Sequence, residues 1–253
     1  MSSFDDLSIA YDNTIDWEAR LNREMPFILS LIANIESPRV LDIACGSGRH
    51  SISLASNGAE VIGVDSSKSM IHAAETHAAV KGVTPKFIVS EMERIKTTVE
   101  GPFDLIICLG NSLALVNDIN ALKQVVMDIF HLLKQGGSFV AQVLNFEEIH
   151  WTGFRNFPTK VGKLSNGEEI TFGRMFEHTD YPYSSTLVMS AFKKHDDEWI
   201  SEVSTQKVLN LKHDQMESIL KETGFSSVKI FSDYARGSLD KKYDRSMVIH
   251  TTK

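Results

Sequence analysis

VLDIACGSGRH, Val40 through His50, runs from an apolar pentad straight into a glycine pair, Gly46 and Gly48. The aliphatic run predicts a buried strand, and Gly46-Ser47-Gly48 predicts a tight turn into a helix. Glycine there lets a ligand approach the backbone where any Cβ would obstruct it, and the start of the next helix adds free N–H donors. Such a turn is shaped to receive a phosphate, a metal or a small charged cofactor. Asp65 narrows the choice, because it ends the next apolar run, EVIGVD, roughly twenty residues on. From that position a carboxylate reaches the two ribose hydroxyls of an adenosine-containing cofactor. An aspartate there can also cap the helix expected to begin near Ser67.

Outward from this turn, short apolar runs alternate with helical segments. An amphipathic helix is expected over Ala19 to Ile35, from the spacing of Leu21, Met25, Ile28, Leu29 and Ile32. Then come VLDIA, a helix over Ser51 to Ser56, EVIGVD, a helix over Ser69 to Lys81, KFIVS, FDLIICLG, a helix over Ile119 to Leu133, and SFVAQVL. Strand and helix repeated this way predict an α/β fold with a doubly wound, mostly parallel sheet. Gly136-Gly137 marks the expected turn between the last of these helices and its strand.

After Asn145 the rhythm changes to polar–apolar alternation (EEITFGRMF, STLVMSAF, WISEVSTQKVL), with a turn at Asp196-Asp197-Glu198. We therefore divide the chain into residues 1–145, an N-terminal helix and cofactor-binding half; residues 146–212, an inserted antiparallel β unit covering the substrate; and residues 213–253, a helix and two strands that complete the sheet.

Composition bounds the partners. The 253 residues, 42% hydrophobic, suit one large α/β domain with an insertion. A net charge of −7, with Lys and Arg scattered, leaves no electrostatic footprint for nucleic acid or an anionic membrane. Cys45 and Cys108 read as free buried thiols. His72, His77, His150, His178 and His195 form no ligand set, so no metal is expected. No basic, apolar leader and no membrane-length apolar run is present, and the expected location is cytoplasmic. Ser112 lacks the elbow motif of a hydrolase nucleophile.

A dinucleotide dehydrogenase would share the glycine turn, but its third glycine would fall at Ser51. Asp42 separates the two readings: a carboxylate just ahead of the turn suits a cofactor carrying a cation and would repel a pyrophosphate. The run Asp42-x-x-Cys45-Gly46-Ser47-Gly48, followed by Asp65, resembles the S-adenosylmethionine site of class I methyltransferases, with Ala44 at the usual first glycine. FDLIICLGNS, Phe103 to Ser112, resembles the fourth-strand motif of the glycine and sarcosine N-methyltransferase branch. Arg20, in WEARL, stands where that branch carries an arginine for the cofactor's carboxylate, and Tyr11 matches its N-terminal aromatic.

The resemblance, which spans Tyr11 to Asn145, implies a Rossmann-like sheet of seven strands and S-adenosyl-L-methionine as cofactor. It places Tyr11, Arg20, Ala44, Gly46, Gly48, Asp65, Ser66, Met70, Glu91, Met92 and Leu109 around that cofactor. Gly46 and Gly48 would give backbone access, Asp65 would hold ribose, and Met70, Glu91 and Met92 would lie by adenine. Leu109 and Asn111 would lie at the methyl-transfer mouth, and Tyr11, Asn111 and Asn145 are the catalytic candidates. Substrate residues are expected from the N-terminal segment and the insertion, because those pieces lie beyond the carboxyl ends of the strands; the candidates are Trp17, Asn145, Arg155, Arg174, Tyr181, Tyr183, Tyr234 and Arg236. Two positions depart from the branch. Leu144 stands where it pairs an arginine with the substrate carboxylate, and Leu115 where it carries a histidine. The expected activity is in-line methyl transfer to a small amine or amino-acid-like metabolite. An RNA or protein methyltransferase of the same fold, or a cofactor-binding protein without catalysis, are the competing readings.

Overall fold

Seven strands form the main sheet in the order β10-β11-β5-β4-β1-β2-β3. The computed structural model describes residues 9–164, 166–178, 180, 182–195 and 198–253. Strands β1 (Arg39–Ile43), β2 (Glu60–Asp65), β3 (Lys86–Val89), β4 (Phe103–Cys108) and β5 (Leu133–Leu144) run parallel. Strand β11 (Ser246–Thr252) lies antiparallel between β5 and β10 (Ser227–Phe231). The sheet is wound outward in both directions from β1, so the strand order reverses between β1 and β4. That reversal opens a crevice at the carboxyl ends of the strands, where open α/β sheets bind ligands.

Helices α1 (Trp17–Ser30), α2 (Arg49–Ser56), α3 (Lys68–Lys81), α4 (Ile95–Thr98), α5 (Ile119–Leu132), α6 (Phe146–Thr152) and α7 (His213–Thr223) accompany the strands. A core of Leu41, Ile43, Ile106, Val126, Ile129, Phe139 and Ile249 forms around β1, β4, β5 and α5, and a second gathers Phe27, Ile28, Val40, Leu105 and Val140 under α1. The central strands are aliphatic on both faces because each face is covered.

Two expected boundaries moved. Helix α1 stops at Ser30 rather than running to Ile35, because the Ser30 hydroxyl donates to the Phe27 carbonyl at 2.7 Å and the Leu31 N–H turns to the Ile28 carbonyl. Gly136-Gly137 is no helix-to-strand turn. Helix α5 passes directly into β5, and the glycines sit at a register shift between β4 and β5. A Cβ on Gly137 would come within 2.9 Å of the Lys134 carbonyl oxygen, so the pair serves a bulge.

A separate sheet of β6 (Lys160–Lys163), β7 (Glu169–Glu177), β8 (Ser184–His195) and β9 (Glu198–Leu209) is antiparallel throughout. Asp196 and Asp197, the expected turn, lie outside the described residues. Sequence reading did not anticipate β6, α4 or α6. The last is capped by Asn145, whose Oδ1 accepts the Glu147 N–H at 3.0 Å. The second sheet packs on helical residues 9–12: a Cβ on Gly162 would stand 2.8 Å from the Ala10 carbonyl oxygen. The N-terminal segment is thereby clamped between β6 and the mouth of the crevice.

Candidate active site

The turn after β1 carries three left-handed residues, Ala44, Gly46 and Gly48. Open space lies where a Cβ on Gly46 would stand, so its backbone faces a void a ligand can fill. Gly48 is needed for another reason: a Cβ there would meet Ala74 at 2.7 Å and the Phe87 ring at 2.8 Å. Space for a backbone approach thus exists at Gly46, whereas glycine at Gly48 is imposed by protein behind the turn.

Asp65 holds this turn. Its Oδ2 accepts the Gly46 N–H at 2.8 Å and its Oδ1 the Ser67 N–H at 2.9 Å. Each oxygen keeps a further acceptor position. The cap of α3 is Ser67, whose hydroxyl oxygen accepts the Met70 N–H at 3.3 Å, so Asp65 is not that helix's cap. Burial raises the Asp65 pKa, against backbone N–H groups that pull it down. Asp42 is buried behind the turn, accepting from the Ser51 hydroxyl at 2.6 Å. Burial pushes its pKa up to about 6, with His50 and Ser51 acting against that and Asp65 adding to it.

A methyltransferase-domain family model matches residues 40–137, a span holding this turn and Asp65. Glycine/sarcosine N-methyltransferase of Parasynechococcus marenigrum (strain WH8102) is 25% identical over 232 residues, covering 92% of this chain and 78% of that one. The chain is a class I S-adenosylmethionine-dependent methyltransferase. Solved structures share the fold. An S-adenosylmethionine-dependent methyltransferase from Clostridium acetobutylicum ATCC 824 superposes with a TM-score of 0.77 at 19% identity, covering 94% of this chain and 92% of that one. S-adenosylmethionine-bound CalS10, an amino pentose methyltransferase from Micromonospora echinaspora, gives 0.71 at 13% identity, covering 100% and 99%.

The cofactor of this methyltransferase is S-adenosylmethionine, and the crevice suits it: open space at Gly46 adjoins a carboxylate with spare acceptor positions. Met70 stands in the first turn of α3, half-buried. Exposed Ser66 follows Asp65. Exposed Glu91 turns to Arg94 at 3.5 Å, and Met92 packs against the main core. Leu109 is buried in the core beneath α1.

A cavity of about 550 Å3 opens beside Gly110, over the ends of β4, β5 and β11. Tyr11, Arg20, Asn111, Arg174 and Tyr234 line it, together with residues that sequence reading missed: Arg23, Glu24, Gln142, Phe157, Lys160 and Phe176. The Arg20–Glu24 pair was legible as a helical i, i+4 contact; nothing in the sequence marks Lys160. Arg174 lies between two rings, 4.8 Å from the Tyr11 centroid and 4.5 Å from Phe157. Lys160 stands 5.4 Å from the Tyr11 centroid. Burial lowers the pKa of both cations, and Arg174 and Arg20 further lower that of Lys160. Burial raises the Tyr11 pKa, so its hydroxyl stays protonated at neutral pH. The Tyr234 hydroxyl is buried with no hydrogen-bond partner among the described residues.

Several expected site residues lie elsewhere. Asn145 is fully buried, its amide donating to the Lys241 and Asp244 carbonyls at 2.9 and 2.8 Å while its oxygen caps α6. Every polar atom of that side chain is engaged in structure. Asn111 does line the cavity, but its Oδ1 accepts the Leu144 N–H at 2.8 Å, stapling the β4 turn to β5. Arg236 is exposed, 5.2 Å from the Phe27 centroid and bonded to Ser30. Tyr183 is 81% exposed, and exposed Arg155 reaches the Phe176 carbonyl; neither lines this cavity. Trp17 contacts His50 and Arg20. Tyr181 lies outside the described residues.

Proposed function

We propose that this methyltransferase transfers a methyl group to a small, amino-acid-like acceptor carrying both an amine and an anionic group. The observation that carries this reading is the pair Lys160 and Arg174. Both border the cavity, both are partly desolvated, and neither makes an ion pair among the described residues. Lys160 reaches the Thr14 carbonyl at 3.5 Å and both cations face the Tyr11 ring, but a desolvated cation without a counter-charge is costly, and an anionic ligand offsets that cost. The branch arginine that Leu144 replaces is answered here by cations from the second sheet. Leu115, Leu144 and Leu187 add apolar wall, which leaves room for an acceptor larger than glycine.

The same reading assigns the cofactor side. Asp65 takes the ribose hydroxyls, Gly46 gives backbone access, Met70 and Met92 flank adenine, and Arg20 takes the carboxylate. When bound, the cofactor supplies a methyl carbon activated by its sulfonium. The chain's task is to hold the amine in line with that carbon, about 3 Å away, and to exclude water. Tyr11, whose hydroxyl makes no hydrogen bond among the described residues, is placed to accept an amine N–H and orient the lone pair. Nucleic acid and membrane have no part in this proposal, and the acidic balance of the chain supports that.

A panel of primary and secondary amines, each with its decarboxylated analogue, tests the reading with methyl-labelled cofactor. Labelled product from a carboxylate-bearing amine, and a far weaker reaction with its analogue, is the expected result. Cofactor binding without transfer to any member, or indifference to the carboxylate, overturns it. Arg174→Met should raise the acceptor KM by about tenfold to a hundredfold with cofactor affinity unchanged.

A further inference from the structure

Glu24 is a charged side chain in mid-helix, yet only 3% exposed. Its Oε1 accepts from Arg20 Nε at 3.0 Å and Arg23 Nη2 at 2.8 Å, and its Oε2 lies 2.9 Å from His50 Nε2. Burial would raise its pKa, but the contacts with His50, Arg20 and Arg23 outweigh this and hold it below the usual carboxylate value. One buried carboxylate thus ties α1 to the first turn of α2, directly after the glycine turn.

Arg20 is held on three sides. Glu24 takes its Nε, the Trp17 ring lies 4.9 Å from its guanidinium carbon, and its Nη2 lies 3.5 Å from the point where a Cβ on Gly110 would stand. With Nε engaged, the terminal nitrogens are left for a ligand, at the rim where the glycine turn and the β4 turn meet. An arginine side chain carries about 2 kcal/mol of rotamer entropy, and a fixed fork loses less of it on binding.

We propose that Glu24 is a positioning residue for the cofactor: it presets the Arg20 guanidinium that receives the cofactor's amino-acid carboxylate. The proposal rests on the assignment of Arg20 made above. It predicts that removing the Glu24 charge weakens recognition of the amino-acid tail alone, leaving the nucleoside end untouched.

Two non-reacting probes separate those ends: S-adenosylhomocysteine, which carries the tail, and methylthioadenosine, which lacks it. Calorimetric titration of Glu24→Gln should show S-adenosylhomocysteine binding weakened by about tenfold, with methylthioadenosine unchanged. Loss of both by the same factor, or of neither, overturns the proposal. Glu24→Asp, which keeps the charge but withdraws it by one methylene, reads the same ratio if Glu24→Gln does not fold. Arg20→Ala separates the two levels of the argument. A ratio unchanged in Arg20→Ala sinks the assignment of Arg20, whereas a ratio shifted in Arg20→Ala but not in Glu24→Gln sinks the positioning role alone. Neither result depends on the acceptor, which is absent from the experiment.

Discussion

Asp65 Oδ2 accepts the backbone N–H of Gly46 at 2.8 Å, so the carboxylate at the end of β2 and the glycine turn after β1 form one unit. The aspartate is oriented by the turn it supports. Asp65→Ala should therefore have two separable consequences. Loss of charge-assisted bonds to the cofactor weakens affinity by roughly 1.5–3 kcal/mol, and the freed N–H groups of Gly46 and Ser67 lower stability by about 1–2 kcal/mol. Calorimetry reads the first and urea unfolding the second. Unchanged affinity would show that Asp65 serves the turn only.

The two glycines of that turn should fail differently. A Cβ at Gly46 has no protein atom within 4 Å, but Gly46→Val imposes a β-branched side chain on a left-handed residue and fills the void in front of it. We expect a folded chain, less stable by about 1–3 kcal/mol, that does not bind the cofactor. Gly48→Ala drives a methyl against Ala74 and Phe87 and should cost about 1–3 kcal/mol of stability, with the binding lost only as the fold is lost. Equal effects of the two substitutions on melting and on affinity would contradict the distinction.

What the sequence made legible follows from how local each signal is. VLDIACGSGRH and Asp65 lie within one βαβ unit, so composition and spacing alone bring them together. The alternation in β7 was equally plain, because Ile170, Phe172 and Phe176 are buried between more exposed neighbours, whereas β9 is exposed along most of its length and only its end, Val208 and Leu209, is buried. Asn145 misled because a buried asparagine that caps a helix and binds two carbonyls looks, in sequence, like a polar residue at a strand end. The signal for its cap was present in Glu147 and Glu148, which open α6. Lys160 and Arg174 reach the cavity only because β6 and β7 pair, and then fold over residues 9–12. That is tertiary information that no spacing encodes.

Asp42 should make the chain less stable as pH rises. Its folded pKa of about 6 lies above the unfolded value of about 3.9, so between those limits the native state binds more protons than the unfolded chain. Stability from this group is present below the lower limit and lost as pH rises through about 6, by roughly 3 kcal/mol. Asp42→Asn should raise the melting temperature at pH 7.5, with the gain fading towards pH 4. The same variant should weaken binding of S-adenosylmethionine, which carries a sulfonium as well as an ammonium, more than that of S-adenosylhomocysteine, which carries the ammonium alone, because the former has one more positive charge to be drawn to a buried negative one. Parallel melting curves at both pH values would refute the linkage.

His150 and His250 act in the opposite sense. Burial, with His178 and Lys212 nearby, lowers the His150 pKa to about 4; burial, with Lys229 and Arg236 nearby, does the same to His250. An unfolded histidine titrates near 6.5, so on acidification the unfolded chain takes up protons that the native state refuses. The stability these histidines contribute is present above about pH 6.5 and is lost as pH falls towards 4. Two histidines outweigh Asp42 in this window, and the melting temperature should fall steadily across it. His250→Gln, which can keep the contact to the Ser138 hydroxyl, should flatten the slope, and Asp42→Asn should steepen it by removing the group that gains on protonation. Melting curves at half-unit steps from pH 6.5 to 4 decide the matter: a flat wild-type profile, or slopes that both variants leave alone, would show that neither histidine is neutral by force of the fold.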